Sequence, residues 1–204
     1  MTINAIIWDL GGVLVRTDDY ASRDALAARH GMTRAILEEL VYGEESGHQA
    51  QLGLIDIHQH WENVRAALGI PHEEVEAFRS HFWRGDQLDG ELVDFIRVLK
   101  VNHRTGLLSN AFSNLRQVIQ ETWHIEDAFD AMVISAEEGL IKPDPRIFQV
   151  ALDRLGVKAG DAVFIDDMLQ NVVGARQMGM HAIHFHTSEQ VRLEVSEIIA
   201  DHYR

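Results

Sequence analysis

The chain begins with a short unbroken apolar run, Ala5-Ile6-Ile7-Trp8, that stops at an aspartate followed within three residues by two glycines. A run of that length, partly β-branched and without alternation, reads as a strand buried on both faces. From about Thr17 to about Gln87 the period changes. Apolar residues recur at Leu26, Ile36, Leu37, Leu40, Val41, Ile57, Trp61, Val64, Leu68, Val75, Phe78 and Phe82, a helical spacing that no convincing strand interrupts. The polar stretch Tyr42 to Gln49 is expected to break these helices as an exposed connection. From Leu88 onward helix and strand alternate. Glu91 to Lys100 reads as a helix, Thr105 to Leu108 as a strand, Asn114 to Thr122 as a helix and Met132 to Ile134 as a strand. Asp144 is placed to cap the next helix, and Pro145 occupies its first turn, where a missing N–H costs least. That helix should run to about Leu155, with Gly156 as its stop. Ala162 to Ile165 is a strand, Gln170 to Met178 a helix, Ala182 to Phe185 a last strand and Glu189 to Ile199 a closing helix. The alternation predicts an α/β fold, a parallel sheet with helices on both faces.

The helical stretch lies between the first strand and the rest of the sheet. At roughly 70 residues it is far longer than the connections of compact domains. Two units are therefore expected, a core formed by residues 1–16 and 88–204 and a helical insertion over residues 17–87. A chain of 204 residues is long enough for such an arrangement.

Charge removes some partners. With 18 Lys and Arg against 32 Asp and Glu, the formal charge is −14, which repels a polyanion, so nucleic acid is not expected as a partner. There is no cysteine, hence no disulfide framework and no thiolate metal site. The first strand comes almost at once, without a basic segment, a cleavage site or a long apolar span. A soluble cytoplasmic protein, monomer or homodimer, with no membrane partner is the expectation.

Chemistry concentrates where apolar runs end. Asp9 closes the first run, and Gly11 and Gly12 let the backbone turn sharply and bring N–H groups over the strand end. Taken alone, Asp followed by Gly is also an ordinary turn signal. Three distant segments change the balance. Leu107-Leu108-Ser109-Asn110 ends a second run in a hydroxyl and an amide, Lys142 precedes the rigid Pro143-Asp144-Pro145 turn, and Val163-Phe164-Ile165 ends in Asp166-Asp167. Twelve histidines invite a metal reading, but His58 and His60 point different ways on a helix, and His184 and His186 lack a third ligand. Surface or packing roles are expected for both pairs.

Asp, then Ser-Asn, then Lys-Pro, then Asp-Asp, each after a strand or before a helix, resembles the four motifs of the haloacid dehalogenase-like hydrolase superfamily over nearly the whole chain. The resemblance implies a Rossmann-like core with a helical cap inserted after the first strand, and Tyr42 to Gln49 could line the cap's closure. It implies that Asp9 is the nucleophile, attacking phosphorus to form an aspartyl phosphate that water hydrolyses. A carboxylate and one phosphate charge at about 4 Å repel by about 4 kcal/mol at an effective dielectric near 20, so cations must offset them. Lys142 is one; Mg²⁺, a hard cation suited to few carboxylates, waters and a phosphate, is the other. By resemblance the metal ligands are Asp9, the carbonyl of Gly11, Asp167, and Asp166 directly or through water, with Asn171 steadying the metal side. Ser109, Lys142 and the N–H groups around Gly11, Gly12 and Asn110 would hold the phosphoryl oxygens of a small phosphorylated metabolite.

One position departs from the pattern. Phosphatases of this superfamily usually carry a second Asp two residues after the nucleophile as general acid and base, and here that position is Gly11. Asp9-Leu10-Gly11-Gly12-Val13, with Gly43-Glu44 and Gly53-Leu54-Ile55-Asp56, looks like a helical-cap subgroup related to bacterial α-glucose-1-phosphate phosphatases, which also have Gly there, and to the phosphatase domain of epoxide hydrolases. The expectation is a Mg²⁺-dependent phosphatase of a small phosphomonoester, a sugar phosphate among the candidates. The alternatives are a 2-haloacid dehalogenase using Asp9, since a halide leaves without a proton, and a catalytically silent phosphate-binding protein.

Overall fold

The computed structural model describes residues 2–202. Ala5–Trp8 forms β1, and its four residues are fully buried. Alternate side chains leave the strand on opposite faces, so Ile6 and Trp8 enter one hydrophobic cluster and Ala5 and Ile7 the other. That double burial accounts for the absence of any polar residue in the run. The chain then forms β2 (Val15–Thr17), followed by α1 (Ala21–Arg29), α2 (Arg34–Tyr42), α3 (Glu44–Gln51), α4 (Ile57–Leu68) and α5 (Val75–Phe82). It returns through β3 (Asp86–Leu88), which pairs antiparallel with β2. This ribbon was not foreseen.

The remainder alternates. In order come α6 (Gly90–Leu99), β4 (Arg104–Ser109), the short α7 (Leu115–Gln117) continuing as a π-helical turn to Trp123, β5 (Ala131–Ile134), α8 (Ser135–Glu138) and α9 (Pro145–Leu155). Then follow β6 (Ala162–Asp166), α10 (Leu169–Gln177), β7 (His181–His184) and α11 (Ser188–His202). The five long-range strands form one parallel sheet in the order β5-β4-β1-β6-β7. β1 is central. Connections run one way from β1 through β4 to β5 and the other way through β6 to β7, so the switch point lies between β1 and β6, and ligand crevices form beyond the carboxyl ends at such points.

Local signals explain the best-defined helix. Asp144 accepts a hydrogen bond from Arg146 N at 2.9 Å, Pro145 stands in the first turn, and the helix stops at Gly156. Ile147, Phe148, Ala151, Leu152 and Leu155 recur on one face and are buried against Ile7, Leu108 and Phe164 of the sheet. The helices α1 to α5 build a hydrophobic cluster of their own from Leu26, Leu37, Val41, Trp61, Val64, Phe78 and Phe82, and the core contributes Phe112 to it. Ile36, expected in this cluster, is exposed. Tyr42 to Gln49 is not an exposed connection: only Gly43 separates α2 from α3. No helix among the described residues is long and apolar enough to cross a membrane.

Candidate active site

The parallel register brings the sequence-predicted groups to one edge of the sheet. Asp9 follows the last residue of β1, Ser109 ends β4, and Asp166 ends β6 with Asp167 next. Lys142 arrives from the segment between α8 and α9. Its Nζ lies 2.8 Å from Asp9 Oδ1, 2.7 Å from Asp166 Oδ2 and 2.9 Å from Leu108 O. Three acceptors use all three ammonium protons, so in this state Lys142 holds the carboxylates rather than offering a free donor. Its buried charge is retained because of them, with pKa raised by Asp9 and Asp166 against the cost of burial.

Asp166 is fully buried and saturated. It accepts from Lys142, from Met168 N at 2.8 Å, and from Asn171 Nδ2 at 3.1 Å to each oxygen. Asn171 therefore steadies Asp166. Asp167 is more open, and a Cβ at Gly12, whose φ is +78°, would overlap its carboxylate. Gly12 is thus required twice, for a left-handed backbone and for the approach of a carboxylate. His184 Nε2 lies 2.8 Å from Asp167 O and braces the same loop from β7, a positioning contact for which the sequence carried no signal beyond the histidine itself.

Neighbouring bonds fix the rest. The Asn110 amide donates to Lys142 O at 3.1 Å and accepts from Lys142 N at 2.8 Å, so it anchors the lysine segment. Ser135 Oγ accepts from Ala111 N at 2.9 Å. The N–H of Gly12 already donates to Val15 O at 2.9 Å and is not available to a phosphoryl oxygen in this state. Gly11 is exposed, with open space where a Cβ would stand. Ser109 is buried at the strand end. His58 and His60 do diverge: His58 is exposed, and His60 is buried with Nδ1 2.9 Å from Ser46 Oγ.

The electrostatic balance is uneven. Asp9, Asp166 and Asp167 present carboxylate oxygens that all lie within 4.8 Å of one another, facing one ammonium. Burial, with Asp166 adding to it, lifts Asp9 to about 7 despite Lys142. Burial and then Asp166 raise Asp167 as well. A divalent cation fits this donor set, because hard oxygen ligands with surplus negative charge and one open carboxylate are what such an ion requires.

Three carboxylates and the buried Lys142 thus gather beyond the carboxyl edge of a parallel sheet, at its switch point. The haloacid dehalogenase-like hydrolase family model matches residues 3–179, and the chain belongs to that family. It is 26% identical to a sesquiterpene phosphatase of Aspergillus oryzae over 97% of either chain. It is 37% identical to bifunctional epoxide hydrolase 2 of Mus musculus over 34% of this chain and 13% of that one, and it spans 19% and 36% of two other long relatives. Its fold is similar to that of a HAD family enzyme of Bacteroides thetaiotaomicron solved with magnesium and inorganic phosphate, with TM-score 0.73, 23% identity, and coverage of 89% and 93%.

Proposed function

We propose that the chain hydrolyses a small phosphate monoester through an aspartyl phosphate on Asp9, with Mg²⁺ as cofactor. The observation that carries this reading is the excess of carboxylate over ammonium at the strand ends: a metal-free displacement of halide has no use for the open carboxylate of Asp167, which Lys142 does not hold. Asp9, Asp167 and the Gly11 carbonyl would hold the ion directly, and Asp166, its oxygens taken by Lys142, Met168 N and Asn171, would hold Lys142 in place behind them. When bound, the cation supplies positive charge that offsets the repulsion between Asp9 and the phosphate.

The protein's own groups do the remainder. Lys142 grips Asp9 Oδ1, and the other oxygen attacks phosphorus. The bond to the leaving oxygen breaks as the acyl phosphate forms, and Ser109 with nearby N–H groups binds the phosphoryl oxygens. Water then attacks the same phosphorus, releasing inorganic phosphate and restoring the carboxylate. Residues 17–87 act as a cap that excludes bulk water, docked where Phe112 packs 4.8 Å from the His60 ring and Gly53 lies against Ala136 O. A Cβ at Gly53 would overlap that carbonyl.

A panel of phosphate esters, including a sugar phosphate and a sesquiterpenyl phosphate, assayed with EDTA and with Mg²⁺ restored, tests the reading. Phosphate release should stop in chelator, return with Mg²⁺, and fall by about 10⁴-fold or more in Asp9→Asn. Wild-type turnover in that variant, or halide release from a 2-haloacid in chelator, would overturn the proposal.

A further inference from the structure

Among the described residues, Arg29, Arg84, Lys158 and Arg176 are the basic side chains outside every ion pair, and Arg176 donates to Ala182 O. Arg29 and Arg84 line one groove, of about 430 Å³, between α1 and the end of α5. None of its lining residues belongs to the Asp9 cluster. Two unpaired arginines in one concavity stand out on a chain of formal charge −14.

The groove follows from local sequence. Ser22, Ala25, Leu26 and Arg29 fall on one face of α1, and small side chains at Ala21, Ser22 and Ala25 leave room above it. Ser22 Oγ donates to His81 O at 2.7 Å near the start of α1, and His30 just past its end meets the ring of Phe78 earlier on α5, so the two helices run antiparallel here. Arg84 then stands near the Asp19 end and Arg29 toward the other, with His81 between them. α1 rises about 12 Å from Ala21 to Arg29, more than a single phosphate spans. Asp19 is the one carboxylate of this groove, and its Oδ1 accepts from Ala21 N at 2.8 Å; Glu74 borders a smaller hollow beyond Arg29.

We infer that this groove binds an oligophosphate chain, gripped by Arg29 and Arg84, as a second anion site distinct from the catalytic crevice. Planar guanidinium forks match phosphate oxygens, and two of them at separated points favour an extended anion over a compact one. The location couples the site to the helical segment's attachment. Asp19 lies two residues beyond β2 and Arg84 two before β3, and Asp18 N donates to Gly85 O at 3.2 Å between the two connectors. An occupied groove braces both connectors.

Calorimetry with inorganic tripolyphosphate and with a methylene-bridged ATP analogue, combined with amide hydrogen exchange, tests this. Wild type should bind both with similar affinity and show slowed exchange over residues 19–30 and 77–86. The double variant Arg29→Gln/Arg84→Gln, altered only at exposed side chains, should fold as wild type and bind about tenfold more weakly per arginine removed. Unchanged affinity in that variant, protection confined to residues near Asp9, Ser109 and Lys142, or binding of the nucleotide analogue that tripolyphosphate does not displace would overturn the inference.

Discussion

The sheet edge and the helices α1 to α5, the proposed cap, both bury charge or polarity, and they treat it in opposite ways. In the cap, Arg23 is buried on α1 and fully answered: Glu38 at 3.0 Å, Asp86 at 2.7 Å, Phe82 O at 2.9 Å from Nε, and the Phe82 ring 4.5 Å beneath the guanidinium. His60 stays neutral, its Nδ1 at 2.9 Å from Ser46 Oγ and its Nε2 buried without a partner. At the sheet edge three carboxylates meet one ammonium, and Asp9 is lifted to about 7 by burial and Asp166 against the pull of Lys142. Balanced burial holds elements together. Unbalanced burial leaves a surplus of negative charge, which the proposed Mg²⁺ would offset.

The comparison breaks most visibly if Arg23 is removed. Arg23→Ala leaves Asp86 without its guanidinium and Glu38 with only Arg34 Nε at 3.9 Å, and burial already raises Asp86. Truncating one partner of a buried pair costs about 3 kcal/mol or more, so the cap should open locally while the sheet persists. Amide exchange should quicken in α1, α2 and α5 and remain slow in β1, β4 and β6. Uniform acceleration would mean that the two regions are one cooperative unit.

A smaller effect sharpens the other side. Gly12→Ala forces a Cβ into the Asp167 carboxylate at a positive φ, whereas Gly11→Ala enters open space. Mg²⁺ affinity measured by calorimetry should fall ~10–100-fold in the first variant, as for other disturbances of a ligand's support, and change little in the second. Equal affinities would show that Asp167 is not a ligand.

Acid separates the regions next. Burial lowers His60 from 6.5 to about 4, against the smaller contribution of Ser46. Between these values the unfolded chain takes up a proton that the folded cap refuses, so His60 contributes its full share above about pH 6.5 and loses it as pH falls toward 4. Cap stability, read by amide exchange in α4, should decline across that window. His60→Phe should flatten the decline; an unaltered slope would place the sensitivity elsewhere.

What was legible in the sequence follows the range of the signal. β1, β4, β6 and α9 were readable because an apolar run, a cap and a stop glycine are local. The β2–β3 ribbon was not, since Val-Arg-Thr and Asp-Gln-Leu carry no period and gain their identity from pairing across the whole cap. The helix α3 was missed for a related reason. Ser46-Gly47-His48 interrupts a run of otherwise good helix formers, and tertiary packing decides: a Cβ at Gly47 would stand 2.7 Å from Val41 O, so the glycine permits α2 and α3 to close on each other. The family came from motif order along the chain. The lysine's three-way grip and the saturation of Asp166 are matters of distance, and no spacing along the chain encodes them.

The smallest predicted effect bears on Gly11, where the crevice has room but no acid. A departing oxygen without a proton donor must leave largely as an anion or take its proton from water or from the substrate itself. General acid help is worth ~10²–10⁴-fold and matters most for poor leaving groups. In the unmodified protein the first step should therefore slow steeply as the leaving-group pKa rises, with aryl, acyl and anomeric phosphates ahead of simple alkyl phosphates. Nothing stands within 4 Å of a Cβ at Gly11, so Gly11→Asp is sterically allowed. A carboxyl placed there without the support of neighbouring bonds should recover only part of the benefit, about tenfold on alkyl esters and less on aryl esters, flattening the slope. The counterweight is charge: a fourth carboxylate beside Asp9, Asp166 and Asp167 should also strengthen Mg²⁺ binding, and that gain appears in affinity rather than in the leaving-group slope. Pre-steady-state release measured at saturating Mg²⁺ across a graded ester series separates the two. A flat slope in the unmodified protein would mean that another group, such as the exposed Asp18 at the end of the ribbon or a side chain of the cap, already delivers the proton.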